Sequence, residues 1–484
     1  MERKTRFSKR TINLMESQHS LSSYKDSVST ISEQGKRVWI YPKKPKGRFT
    51  AARTIVAIFL LLILVVTPFI KIHDHPFMLF NLLERKFIFF GLAFGPYDFA
   101  ILVVGFIAFA IFVILFTAIF GRIFCGWICP QTIFMEMVFR KIEYWIEGDF
   151  RKQIALDNAE WTFKKYQKKI LKHIIFFLLS FIIANILLAW VIGIEALYKI
   201  ITVAPSQHLS GFISISLFSG VFYFIFSRFR EQACTVVCPY GRLQGVLLDQ
   251  NSLVVAYDTV RGEPRGKIKK NEERKNGDCI DCKLCVDVCP TGIDIRNGIQ
   301  LECVNCTACI DACDDVMDKV KKPRGLIRYD SLQGIKERIR FKITPRIISY
   351  SVVLFLFVAL FSYLLAARED IEVNIFRTPG MLYQDQPGEM ISNLYNFNIV
   401  NKTFEPIEVS LKIKNIDAEI KLLGSDLHLV PMQVEEGKFM IIAHKKVFSK
   451  MNTQIHIGVY YNGNEVTAFK TSFLSNIKLK KHEN

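Results

Sequence analysis

Five long apolar blocks, at residues 54–70, 99–121, 170–194, 211–227 and 347–367, constrain this chain more than any other feature of its sequence. About 20 helical residues cross a hydrocarbon core about 30 Å thick. Inside that core every backbone N–H and C=O needs a partner within the chain, which a helix supplies. The first and fourth blocks are short, but they are rich in Leu, Ile, Val and Phe and carry no charge. A buried helix of a soluble protein is the competing reading of any one block. Five in a chain of 484 residues, half of them apolar, favour a membrane protein with an all-α region of about five transmembrane helices. Residues 87–96 are apolar too, but too short and too Gly-rich to span, and are read as interfacial.

The formal charge of +18 on a soluble chain would suggest nucleic acid as a partner. Its distribution argues otherwise. Lys and Arg number 13 before the first block, then 3, 9, 1 and 22 between successive blocks, and 14 after the last. That alternation is the positive-inside pattern. It predicts residues 1–53, 122–169 and 228–346 in the cytoplasm and 368–484 outside, so the charge orients the protein and recruits no nucleic acid. The first 53 residues are basic and Ser-rich without the apolar core of a secretory signal. They are expected to be a flexible cytoplasmic arm. The domain plan is this arm, four helices over 54–227, a cytoplasmic insert over 228–346, a fifth helix over 347–367, and an exported domain over 368–484.

All twelve cysteines fall in four tight groups, each on the predicted cytoplasmic side. The predicted outer domain has none, which is the reverse of disulfide usage and points to reduced thiols serving as ligands. Two groups, Cys279-Ile-Asp-Cys282-Lys-Leu-Cys285-Val-Asp-Val-Cys289-Pro290 and Cys303-Val-Asn-Cys306-Thr-Ala-Cys309-Ile-Asp-Ala-Cys313, have the C-x2-C-x2-C-x3-C spacing of two-cluster bacterial ferredoxins. In that arrangement three thiolates wrap one corner of a cubane and the fourth reaches the other cluster. One [4Fe–4S] cluster is thus expected on Cys279, Cys282, Cys285 and Cys313, and the second on Cys303, Cys306, Cys309 and Cys289. Structural zinc sites usually use two C-x2-C pairs far apart instead. Asp314 replaces the proline expected after the last cysteine, which removes no ligand.

The other groups, Cys125-Gly-Trp-Ile-Cys129-Pro130 and Cys234-Thr-Val-Val-Cys238-Pro239, are both C-x3-C-P and follow the second and fourth blocks. If the chain is still helical there, each i, i+4 pair shares a face, and the proline should end or kink the helix just beyond it. Four thiols could then converge. Soft thiolates favour Cu(I), zinc or another iron–sulfur cluster, and they could also cycle between dithiol and disulfide. Small buried residues packing at helix ends is the bland alternative, which the matched repeat disfavours.

Other motifs carry less. Membrane-embedded haem would need paired histidines, and the five blocks contain only His173. No G-x-G-x-x-G follows a strand pattern, so no nicotinamide or flavin site is expected. His73 and His75 could bind an incoming metal, though two histidines in a polar loop are more often solvated. Met135 and Met137 would suit Cu(I), but packing is the simpler role. From about residue 368 the pattern changes to period two, with Ile407, Val409, Leu411 and Ile413, then Ile455, Ile457, Val459 and Tyr461, and an Asn462-Gly463 hairpin turn. An immunoglobulin-like β-sandwich is expected there, as a docking or stabilising module.

Taken together the chain resembles the FixG/CcoG family, the cytochrome c oxidase accessory proteins. The likeness lies in Arg122-Ile-Phe-Cys-Gly-Trp-Ile-Cys-Pro-Gln131, in Cys234 to Leu243, in Gly277-Asp-Cys-Ile-Asp-Cys282, in Cys289-Pro-Thr-Gly-Ile-Asp-Ile-Arg296, in Asp311-Ala-Cys-Asp-Asp-Val-Met317 and in Pro323-Arg-Gly-Leu-Ile-Arg-Tyr329. The resemblance implies a bacterial inner-membrane oxidoreductase that assists assembly of a cbb3-type haem–copper oxidase. It would reduce Cu(II) to Cu(I) for the oxidase's copper centre, and the hypothesis that follows for this chain holds the copper near Cys125, Cys129, Cys234 and Cys238. Its partners would be the oxidase or its copper-delivery factors, and its electron donor is open between a cytoplasmic protein and a quinol. A non-enzymatic assembly factor and an electron relay to a respiratory reductase are the alternatives.

Overall fold

The computed structural model describes residues 36–484 except 73, 83, 205, 208, 268–275, 340–341, 425–426 and 477–484. His73 and residues 1–35 of the expected arm lie outside the described residues. The chain divides into one unit of residues 1–69, 106–189 and 193–358, and a second of residues 70–105, 190–192 and 359–484.

Among the described residues, five helices are long and apolar enough to cross a membrane. They are α1 (Arg48–Val66), α2 (Phe99–Phe120), α3 (Phe163–Ile192), α4 (Leu209–Phe224) and α5 (Pro345–Ala366). Large side chains such as Phe106, Phe109, Leu217 and Phe355 project from them without protein cover, a surface that suits lipid. Four of the helices, all but α2, start before their apolar blocks, because backbone hydrogen bonding does not depend on hydropathy. With 30 residues, α3 is about 45 Å long, and its first turns carry Lys164, Lys165, Lys168 and Lys169.

In the first unit, α1 starts where residues 36–47, expected as part of the arm, are held against the protein. Lys43 N–H donates to Asp287 O at 2.7 Å, and Arg37 and Arg230 both lie over the Trp39 ring. Asp311 accepts from the backbone N–H groups of Phe49 (3.0 Å) and Thr50 (2.7 Å), and from Thr50 Oγ1. It thereby satisfies donors that a helix start leaves orphaned. Beneath, Phe139, Phe176 and Phe226 pack with Met135, which is fully enclosed among these rings. The iron–sulfur region is built on an antiparallel pair, Val254–Tyr257 with Ile327–Asp330. Val255, Ile293, Ile310, Met317 and Leu326 form its apolar core.

In the second unit, residues 87–96, read above as interfacial and too short to span, contribute to a small antiparallel sheet of Met78–Asn81, Lys86–Phe89 and Leu92–Phe94. The C-terminal domain is the expected sandwich. One sheet runs β5 (Ala418–Leu423), β7 (Val434–His444), β3 (Met390–Asn401), β1 (Ile371–Arg377), with β2 (Gln384–Gln386) beside β3. The other runs β6 (His428–Leu429), β4 (Ile407–Ile413), β8 (Asn452–Tyr461), β9 (Asn464–Leu474). Ile407, Val409, Ile455, Ile457 and Val459 turn inward on Tyr395, Phe439 and Phe473. Asn462 and Gly463 both have positive φ and close the β8–β9 hairpin with two residues, as a type I′ turn requires.

Candidate functional site

The two ferredoxin motifs adopt one backbone shape. Asp281 and Lys283 flank Cys282 with φ of 52° and 58°, and Asn305 and Thr307 flank Cys306 with φ of 52° and 62°. These left-handed residues curl each loop so that three cysteines face one centre. Asp and Asn tolerate that conformation better than most residues. Helical segments, Leu284–Asp287 and Ala308–Lys319, then carry the chain away from each loop.

A cavity in this region is walled by Cys279, Cys282 and Cys285 together with Cys313 from the other motif, and by Tyr257 and Arg296. Cys289 in turn lies within electrostatic reach of Cys303, Cys306 and Cys309. Burial pushes the Cys285, Cys303 and Cys313 thiols up to about 12 and Cys306 to about 11. Iron binding must therefore expel these protons, and the thiolates formed need nearby positive charge and hydrogen bonds. Arg296 supplies charge at the first cavity, itself gripped by Asp294 through bonds of 2.8 and 2.6 Å and by Asp281.

At the C-x3-C-P repeats the helix widens before it breaks. Cys129 N–H donates to Phe124 O and Cys238 N–H to Ala233 O, both at 2.9 Å and both five residues back. Such wide turns recur at functional sites. The prolines then act as expected. Cys129 (ψ 124°) and Cys238 (ψ 110°) are forced out of helical conformation, as residues before proline are, and new helices start at Pro130 and Pro239. The four thiols come together: Cys125 is within electrostatic reach of Cys129 and Cys238, and Cys234 of all three others. Burial raises Cys125 and pushes Cys234 up to about 12.

Around them stand polar residues to which the cysteine spacing assigns no role. Gln244 Oε1 accepts from Arg122 Nε at 2.8 Å and from the Cys125 thiol at 3.2 Å. Among the described residues, Arg122 Nη1, Gln244 Nε2 and Asn305 Nδ2 are buried donors with no acceptor. Buried donors left unpaired are costly, and the negative charge of thiolates, bound to a metal ion or to a cluster, is what they fit. No periodic pattern marks them; only the density of polar residues beside cysteine could have drawn attention to them.

The repeats and the ferredoxin loops also meet. A Cβ placed on Gly126 would lie 2.4 Å from Val304 O and 3.0 Å from Asn305 C and O. The C-x3-C turn therefore packs backbone to backbone on the second ferredoxin loop, and Arg53 Nε locks it by donating to Gly126 O at 2.6 Å. Among the described residues no group of three or more His, Cys, Asp or Glu side chains converges tightly enough for one ion. Four sulfurs about 2.3 Å from a single ion crowd within about 4 Å of each other, whereas a cubane holds its ligands further apart.

Membrane helices, a two-motif ferredoxin region and a C-terminal sandwich define a membrane-bound iron–sulfur protein. Residues 229–332 match the family described as a 4Fe-4S dicluster domain, residues 102–153 a 4Fe-4S binding domain, and residues 361–476 the IG-like fold at the C-terminal of FixG. The chain is 32% identical to Protein RdxB of Cereibacter sphaeroides over 433 residues, spanning 84% of this chain and 89% of RdxB. It is 34% identical to the nitrogen fixation protein FixG of Rhizobium meliloti over 61% of this chain and 58% of FixG. With Protein RdxA of Cereibacter sphaeroides the identity is 36%, over 61% of this chain and 63% of RdxA. The chain belongs to the FixG/Rdx family of membrane ferredoxins.

Proposed function

We propose that this protein moves electrons from its dicluster region to the four thiols of the C-x3-C-P repeats. In this reading Cys279, Cys282, Cys285 and Cys313 hold one [4Fe–4S] cluster, and Cys289, Cys303, Cys306 and Cys309 the other. Each cluster, when bound, supplies storage and transfer of one electron. The protein's own residues do the rest. The left-handed loops fix the ligands, burial excludes water, and Arg296 and Arg122 place positive charge beside the two ends of the route. The observation that carries the reading is the close packing at Gly126, where an added Cβ would lie 2.4 Å from Val304 O, so that no side chain fits between the second ferredoxin loop and the Cys125–Cys129 turn.

The acceptor at Cys125, Cys129, Cys234 and Cys238 is Cu(II), which gains one electron to become Cu(I); the thiols, which as they stand are not gathered tightly enough for one ion, close on it as it binds. The thiolates favour the softer product. The product would serve the copper centre of a cbb3-type haem–copper oxidase, a context in keeping with the family. The membrane is the bacterial inner membrane, with both ferredoxin motifs cytoplasmic and residues 368–484 periplasmic. A second reading is favoured by the match of residues 102–153, which contain Cys125 and Cys129, to a 4Fe-4S binding domain: the four thiols hold a third cluster and pass electrons to a respiratory partner.

Anaerobically purified, dithionite-reduced protein should reduce Cu(II), read as the coloured complex of a Cu(I) chelator. Cys125→Ser should slow this at least tenfold while iron stays near eight per chain, four for each cluster. A wild-type rate in the variant rejects the copper site. About twelve irons in the wild type, falling to about eight in the variant, selects the third-cluster reading.

A further inference from the structure

The first unit contains a second feature that the thiols do not use. A groove of about 650 Å³ opens along the lipid-facing flank of α3, lined by Trp161, Tyr166, Lys169, His173, Phe177 and Tyr223. Most of its wall is aromatic or aliphatic, and aromatic residues near a helix end are what a membrane interface selects. His173 and Tyr223 are not explained that way. The Tyr223 hydroxyl and His173 Nδ1 are hydrogen-bonded at 2.8 Å across α3 and α4, within segments long enough to span the membrane. The pair sits about one turn inside the apolar blocks, and an ionisable side chain within a membrane segment is a functional-site candidate. With Nδ1 engaged, the ring's other nitrogen remains to meet a ligand.

Behind the groove lies a buried chain of acid–base groups. Lys169 Nζ pairs with Asp157 Oδ1 (2.6 Å) and Glu147 Oε1 (2.9 Å), and Lys172 Nζ with Glu147 Oε1 (2.9 Å). Glu143 then takes the Arg230 guanidinium in a two-pronged bond of 2.9 and 2.7 Å. Arg230 and Glu231 stand just before Cys234 in the sequence. At its other end the chain reaches solvent at Asp157, whose side chain is 30% exposed.

We infer that this groove binds the head group of a membrane quinol. The inference rests on the electron-transfer reading above, for which it identifies the class of electron source. A lipid tail would fill the aromatic slot but offers nothing to His173 and Tyr223, whereas a quinol brings a flat ring with hydroxyl groups. Oxidation to the quinone breaks two O–H bonds and releases two electrons and two protons. The electrons match two one-electron clusters. The protons have His173 and the Lys169–Asp157 pair as a path outward.

The test uses the full-length protein in lipid nanodiscs with a fluorescent alkyl-hydroxyquinoline N-oxide, a quinol analogue, as probe. Wild-type protein should bind it saturably, with about one site per chain. Tyr223→Phe, which removes one oxygen and keeps the ring, and His173→Leu should each weaken binding at least tenfold at unchanged iron content. Equal affinity in all three proteins, or uptake that never saturates, overturns the inference. A photoreactive azidoquinone on the wild type guards against a misfolded variant: labelling should map to the peptides bearing His173 or Tyr223, and labelling confined elsewhere overturns the site. Copper reduction by dithionite-reduced wild-type protein is read separately. Its failure would reject the proposed acceptor and leave the quinol site standing.

Discussion

A methyl group added at Gly126 has no space to occupy. Its neighbour is the Val304 carbonyl, which is backbone and cannot swing aside as a flexible side-chain end could. Overpacking of this kind costs about 1–3 kcal/mol, and here the strain falls on a loop that carries Cys303 and Cys306. Gly126→Ala is therefore expected to lower the thermal unfolding temperature. It should also weaken the electron paramagnetic resonance signal of the cluster proposed for Cys289, Cys303, Cys306 and Cys309 before that of the cluster proposed for Cys279, Cys282, Cys285 and Cys313. Unchanged spectra and stability would mean that the two backbones are not in register as described. The glycine is visible in the sequence, but its reason is not. The spacing of Cys125 and Cys129 announces a pair of thiols, while the partner that forbids a side chain between them lies far along the chain.

Asp311 extends the same point to elements. It sits on helix Ala308–Lys319 between two cysteines, yet its carboxylate closes the start of α1. Gly47 is required there, because a Cβ would fall 2.3 Å from Asp311 Cγ. Losing a capping side chain typically costs about 1 kcal/mol. Asp311→Ala should cost at least that much in a denaturant titration, and Asp311→Asn, which keeps one acceptor oxygen, should cost less. Equal stability of all three proteins would show that the cap contributes nothing. What the sequence made legible at this scale was local. The five membrane helices follow from continuous apolar runs, the breaks at Cys129 and Cys238 from the prolines behind them, and the β8–β9 hairpin from Asn462-Gly463 and two-residue alternation. What it did not make legible was either short or remote. The strands within residues 78–94 are three or four residues each, too brief for alternation to register. The wide helical turns at the thiols depend on the fit to neighbours rather than on composition. The cap of α1 is formed across 262 positions of sequence.

For the whole molecule the open quantity is which way it faces, and two independent properties of the chain point the same way. Between the third and fourth apolar blocks there is 1 Lys or Arg; between the fourth and fifth there are 22. Translocating the second of these segments would carry its whole basic excess across the bilayer, against the bias that sets orientation. That segment also contains Cys234, Cys238 and both ferredoxin motifs, whereas no cysteine occurs after residue 313. In an oxidising compartment such closely spaced thiols would be drawn into disulfides and lost as ligands, while a cysteine-free sandwich is suited to it. The expected topology therefore places the ferredoxin motifs in the cytoplasm and the C-terminus outside. Alkaline phosphatase, which folds only where disulfides form, should be active when fused after Asn484 and inactive when inserted in the segment between the fourth and fifth helices. A cytoplasmic fluorescent reporter should give the opposite result at each site. Fluorescence from the fusion after Asn484, with phosphatase activity from the internal one, would invert the orientation. The copper reading would then have to be rebuilt around thiols that face the oxidising side.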